Sequence, residues 1–268
     1  MGTLAKRLGQ VAAKSLESES SNIIKTIGAN KSGLSKALDS TLKTSHDMKV
    51  FGLGTAASMS SRARYTRFTS SMFAVYSSME DHFDRSLSPA NRLVWDRYGS
   101  SLRRGDALRQ DLEEVGGWPA SEPSVETALY VDAIREAGLH DDETGGGRLL
   151  GHLYCRYFAD LFGGQALGGP YRWALSLEAN SPRHYDFGAF GAARRESIEK
   201  VYVALNEAGE LLGDDAVREE VVVEARRAFM HNVAVYKEEG ALVTDGAVGI
   251  AKMALGFARS RWQQQTSS

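Results

Sequence analysis

The sequence predicts an all-α fold built round one core, on three observations. Apolar residues recur at helical spacing over long stretches, while the β-branched alternation that strands require is scarce. Only five prolines occur in 268 residues, none before Pro89, and those at 119, 123, 170 and 182 stand near Gly or Ser, where turns belong. No internal repeat and no second hydrophobic unit interrupts the pattern. A helical domain over residues 33–260 follows, preceded by an arm over 1–32 and followed by a polar tail over 261–268.

The first 32 residues are rich in Ser and Lys. Ala12, Leu16, Ile23, Ile24 and Ile27 permit a weak amphipathic helix, read as an arm or the remnant of a targeting segment. From Gly33 the pattern tightens: Leu34, Leu38, Leu42 and His46 recur every four residues along one helix side. Tyr65, Phe68, Met72, Phe73, Tyr76, Met79 and Phe83 trace a second stripe. Residues 89–115 read as a third helical region closed by a Gly-Gly-Trp-Pro turn, and 124–138 as a helix that stops near Gly138. Gly145 to Gly147 form a loop. Residues 148–168 read as one long helix, and 195–212 and 215–239 as two more, the last with Ala225, Phe229, Asn232 and Tyr236 on one stripe.

Composition narrows the chemistry. Hydrophobic residues at 43% and charged residues at 25% fit a globular protein rather than a disordered one. A single cysteine, Cys155, excludes an intrachain disulfide framework. Apolar runs such as Val221 to Val223 fall far short of the roughly 18 residues of a membrane span, so a soluble protein is expected. Residues 1–75 hold eleven Lys/Arg and four Asp/Glu, a balance of +7 in a chain of net charge −2. That bias suits an acidic partner as well as an ordinary solvated face. No motif accompanies it that would point to nucleic acid. Glu-x-x-His, phosphate-binding loop, Gly-x-Ser-x-Gly and dinucleotide fingerprints are all missing from the sequence.

The densest signal lies at 151–165. His152, Arg156, Asp160, Gly163 and Gly164 share one side of a helix, with Tyr154, Tyr157, Phe158 and Leu161 on another. Adjacent glycines cost a helix interior roughly 1 kcal/mol each relative to Ala. They fit a helix end or tight crossing, and equally a kink that lets something flat approach the backbone. His46, ending the leucine line, fits a structural imidazole or an axial ligand to iron.

At these residues the chain resembles the heme oxygenases. The stretch from Leu34 to His46 looks like their proximal helix, and Tyr154 to Gln165 like their kinked distal helix. Residues 107–112 and 223–232 resemble two further segments in the right order. The resemblance implies heme, as cofactor and substrate together, sandwiched between the two helices. It implies His46 as the iron ligand, with Lys43 as the cofactor-binding Lys that the family keeps three residues before it. Asp160 would order a proton-delivering water network near bound O2, supported by Arg156 and Tyr76. Gly163 and Gly164 would let the helix bend over the heme. Tyr154 would lie near a propionate, and Phe229 and Asn232 in the pocket wall. Cleavage to biliverdin, CO and ferrous iron would follow, with electrons from ferredoxin or a reductase, in a plastid or the cytoplasm.

The chain also departs from that pattern. Asp39 stands where a Lys is usual, Val50 where a Glu orients the proximal His, Ala159 where a Gly is usual, and Phe162 replaces a small polar residue. On the resemblance, Asp39 would oppose a propionate, and Asp39→Lys would tighten hemin binding. These losses keep open a second reading: a non-catalytic relative that binds heme or bilin, or serves as a subunit of a larger assembly.

Overall fold

The computed structural model describes residues 26–45 and 48–266, with the side chains of 42–45, 48, 49, 260, 261 and 263–266 left aside. His46 lies outside the described residues, as does the Lys43 side chain. Every regular element among the described residues is helical. In order, the helices are α1 (Gly33–Ser45), α2 (Met48–Ser58), α3 (Arg62–Arg85), α4 (Pro89–Leu102), α5 (Gly105–Glu114) and α6 (Val125–Thr144). They continue with α7 (Arg148–Phe162), α8 (Gly168–Leu175), the short α9 (Gly188–Ala192), α10 (Arg194–Leu211), α11 (Asp215–Glu238) and α12 (Leu242–Thr266).

Local chemistry sets many of the boundaries. Side-chain oxygens of Ser61, Ser88, Ser124 and Asp214 accept from backbone N–H groups in the first turns of α3, α4, α6 and α11, satisfying donors a helix start leaves unpaired. Pro89 opens α4, where its missing N–H costs nothing. Gly145 closes α6 in the left-handed region at φ 74°.

Three expected elements come out differently. The region 89–115 is two helices, because the buried Glu80 carboxylate accepts from the backbone N–H of Arg104 at 2.6 Å and of Gly105 at 3.0 Å, capping a new helix there. The helix expected to stop near Gly138 runs to Thr144. Gly138 is a crossing point rather than a stop: a Cβ there would lie 2.6 Å from the His82 ring on α3. The helix expected over 148–168 ends at Phe162, then continues as a 3-10 turn over Gly164–Leu167 and as α8.

α7 is the axis of the fold. All its residues except Arg148 and Ala159 are buried. Gly151 lets α11 pack against its backbone, since a Cβ there would come within 2.7 Å of the Val221 carbonyl oxygen and the Ala225 nitrogen. Leu149, Leu150, Leu153, Phe158 and Leu161 join Leu34 and Leu38 of α1, Met72 to Phe83 of α3, and Val221 to Phe229 of α11 in the core. α12 packs across α2 and α8. A Cβ at Gly249 would overlap the Ala56 carbonyl oxygen of α2, and one at Gly256 would lie 2.1 Å from the Trp173 oxygen of α8. Among the described residues no single helix is long and apolar enough to cross a membrane.

Candidate functional site

Two buried acid clusters flank α7, one on each side of its aromatic middle. The first centres on Asp160. Burial leaves Asp160 5% exposed, and its Oδ2 accepts a hydrogen bond from the Tyr76 hydroxyl of α3. The Arg156 guanidinium, one turn earlier on α7, lies 3.7 Å from Oδ1 and donates to Asn232 Oδ1 of α11 at 3.0 Å. It also lies over the Tyr76 ring, 5.3 Å from its centroid. Sequence reasoning named Asp160, Arg156, Tyr76 and Asn232, which come from three helices, and the fold brings all four together.

The electrostatics fix the states of the donors. Burial pushes the Tyr76 phenol well above its ordinary pKa, so it stays protonated and donates to Asp160. Burial alone would pull Arg156 down, but the Asp160 carboxylate beside it holds the guanidinium charged. Arg156 Nε and Asn232 Nδ2 are buried and meet no hydrogen-bond partner in the protein. Buried donors of this kind are satisfied by water or a ligand.

The second cluster centres on Asp39 of α1, 8% exposed. Its Oδ1 accepts from the hydroxyls of Tyr154 on α7 at 2.6 Å and Tyr202 on α10 at 2.5 Å. Its Oδ2 accepts from Asn30 Nδ2 at 2.7 Å. Burial, then the neighbouring Tyr202 and Asp39, push the Tyr154 phenol above its ordinary range, and burial and Asp39 do the same to Tyr202. Phe158 packs on both rings, at 5.1 Å from Tyr154 and 4.8 Å from Tyr202. The Asp39 carboxylate is therefore locked in a cage rather than free to face a ligand, and the expectation that Asp39→Lys simply improves a binding site is corrected. Neither Tyr202 nor Asn30 was singled out from the sequence. They lie 163 and nine positions from Asp39, and no local pattern links them.

The paired glycines divide their work. A Cβ at Gly163 would meet only the Ala159 oxygen, at 3.6 Å, whereas one at Gly164 would lie 2.6 Å from the Tyr185 ring. Gly163 and Ala159 form the partly exposed strip of this end of α7. Phe229 stays in the core against Tyr154, ring centroids 6.4 Å apart. Cys155, between the clusters, is buried, which pushes its thiol up to about 12 and leaves it unreactive at neutral pH.

The heme oxygenase family model matches residues 32–238. Heme oxygenase 1 of Gallus gallus is 31% identical over 180 residues, which is 66% of this chain but 58% of that protein's length. Heme oxygenase 1 of Nostoc sp. is 29% identical over 199 residues, covering 68% of this chain and 74% of that one. Among solved structures, heme oxygenase-2 of Synechocystis sp., in complex with heme and NO, superposes with a TM-score of 0.66 at 24% identity, over 81% of this chain and 92% of that one. Heme oxygenase of Leptospira interrogans superposes with a TM-score of 0.55 at 26% identity, over 85% and 98%. With the family model matched over residues 32–238, which include Asp39, Asp160 and the helices that carry them, this chain belongs to the heme oxygenase family.

Proposed function

We propose that the protein is a heme oxygenase, cleaving heme to biliverdin, CO and ferrous iron with O2 and a reductant. The observation that carries this reading is the Asp160 cluster: a buried carboxylate between a phenol and a guanidinium, with unmet buried donors around it.

The residues present fit heme on the α7 side. Gly163 offers a backbone surface with no side chain, and the strip beside it is partly exposed. The iron ligand would be His46, with Lys43 toward the heme edge and Phe229 and Asn232 behind α7. When bound, heme supplies the iron that activates O2 and the ring that is oxidised. The protein's share is proton handling. Arg156 holds its guanidinium 3.7 Å from Asp160 Oδ1, one turn away on the same helix. Tyr76 fixes the orientation of Oδ2. Arg156 Nε and Asn232 Nδ2 are positioned to order water, through which Asp160 can accept and return a proton, an ordinary general acid–base role. The surrounding aromatics exclude bulk water and strengthen these electrostatic contacts.

The +7 balance of residues 1–75 suits an acidic electron donor such as ferredoxin. Relatives in cyanobacteria and in the alga Pyropia yezoensis support a plastid setting.

The test is an absorption titration with hemin, followed by reductant and air. A histidine-ligated Soret band lost in His46→Ala, and biliverdin formed by wild type but reduced at least tenfold in Asp160→Ala with hemin still bound, are expected. A spectrum that stays that of free hemin would overturn the reading. Tight hemin binding without biliverdin would instead identify a non-catalytic tetrapyrrole binder on the same fold.

A further inference from the structure

We propose that α12 is a self-association helix: its outward side pairs with α12 of a second copy of this chain, antiparallel, across a two-fold axis near Met253. The proposal is independent of the heme reading above.

The helix is built against the usual pattern. A surface helix turns its large apolar side chains inward and its polar ones outward. In α12 the closest inward contacts are glycines: Gly246, Gly249 and Gly256 approach Leu53 and Ala56 of α2 and Trp173 of α8. The side turned away from α2 and α8 carries Thr244, Val248, Ala251, Leu255, Ala258 and Trp262. Val248 is 45% exposed, Leu255 68% and Trp262 70%. These six positions are spaced four, three, four, three and four residues apart, the repeat of a two-helix coiled-coil seam. The seam runs for about 27 Å at the helical rise of about 1.5 Å per residue. A contiguous apolar strip of that kind marks an interaction surface. It lies beyond residue 238, where the family match stops.

The order of side chains along the seam selects the occupant. Large and small residues alternate, and the alternation is complementary to itself when reversed. Two antiparallel copies set Leu255 against Ala251, Val248 against Ala258 and Trp262 against Thr244, each pairing made twice by symmetry. Every layer then joins one large and one small side chain, which fills the space evenly. A parallel pair would set Trp262 on Trp262 and Ala251 on Ala251, overfilling some layers and leaving gaps in others. The flanks agree with the antiparallel register. There Arg259 comes level with Asp245 of the second copy, again twice. Arg259 is exposed, and Asp245, which Arg64 of α3 also binds, keeps 32% of its side chain exposed. Lys252 meets its own symmetry mate near the axis, where its long stem carries the ammonium out to water. A self-complementary patch of this sort closes into a two-fold dimer and leaves no open end for further copies.

The experiment is analytical ultracentrifugation of the full chain, with engineered cysteines to fix the register. Wild type is expected to approach twice the chain mass at micromolar concentration. Leu255→Glu sets a carboxylate in the seam and should raise the dimer dissociation constant roughly hundredfold. Its thermal unfolding as a monomer should stay that of wild type, because Leu255 is exposed within one copy. Ala251→Leu overfills a layer and Leu255→Ala empties one, so each alone weakens the dimer. The double variant exchanges large for small and should return to within about threefold of wild-type affinity, the coupling expected of residues in contact. Lys252→Cys should form an interchain disulfide under mild oxidation, and Thr244→Cys, facing Trp262, should not. The native Cys155 is buried and gives no background. A chain that stays monomeric at every concentration overturns the proposal, and if that monomer co-sediments with phosphatidylglycerol vesicles the strip is a membrane-facing one instead. A dimer indifferent to Leu255→Glu, a double variant no better than its single parents, or cross-linking through Thr244→Cys overturns it as well.

Discussion

Asp39 and Asp160 are both buried acids held by tyrosine hydroxyls, and both touch α7, yet they are built for opposite ends. Asp39 receives three neutral donors and fills its oxygens with them. Asp160 receives one phenol and faces a guanidinium at 3.7 Å, close to two buried donors that no protein group satisfies. A carboxylate saturated by donors from three segments fastens helices together. One left under-coordinated beside unmet donors has capacity for water and for a moving proton. The number of committed donors, rather than burial or charge, separates a fastening from a working group.

The largest effect that tests this contrast is on stability. Asp39→Lys buries an ammonium among groups arranged to donate, strands three donors, and should destabilise the fold by about 3–5 kcal/mol, as breaking a buried charged network does. Asp160→Asn keeps an acceptor for Tyr76 and is expected to cost less than about 1 kcal/mol. Denaturant unfolding of the two variants measures the difference. Equal losses would mean that both acids are structural.

A smaller effect separates the tyrosines. Tyr202→Phe removes a hydrogen bond to a carboxylate at the meeting of α1, α7 and α10 and should cost about 1.5–3 kcal/mol. Tyr76→Phe removes a similar bond, but Asp160 keeps Arg156 and room for a replacing water, so about 0.5–1.5 kcal/mol is expected. If Tyr76→Phe proves the costlier, the Asp160 cluster is the tighter of the two and the contrast is reversed.

How much of this was legible in the sequence follows the range of the interactions. The helical class, α1, α3 and α10, and the Asp160 side of α7 rest on spacings of three and four residues, which a sequence displays directly. The break at Arg104 depends on Glu80, 24 positions away, and so merged two helices into one. α2 and α12 are not legible because glycines that lower helix propensity, Gly54, Gly249 and Gly256, are there for close crossings: Gly54 under Tyr236, Gly249 under α2 and Gly256 under α8. The Asp39 cage joins residues up to 163 positions apart, and only the fold reveals that a charge at an apparent binding position is already satisfied.

The finest test compares two adjacent residues with the same side chain, Gly163 and Gly164. Sequence gives them one role, a flexible pair that lets a helix bend. Structure gives them two. At Gly164 an added methyl meets the Tyr185 ring at 2.6 Å. Tyr185 is held from behind by Tyr171 and His184, at 5.8 Å and 4.0 Å between ring centroids, so it has little room to yield. Gly164→Ala should therefore cost about 1–3 kcal/mol through overpacking. At Gly163 the backbone, at φ −125° and ψ −31°, is open to any residue, and the methyl would meet only its own helix. Gly163→Ala should leave the unfolding free energy unchanged within about 0.5 kcal/mol, the range of substitutions that disturb no packing. Its methyl would instead narrow the strip beside Ala159, so hemin binding should weaken while the fold does not. Unfolding and hemin titration of the same two variants decide the matter. If Gly163→Ala unfolds as readily as Gly164→Ala, the strip is part of the core and the Asp160 side loses its claim to a ligand.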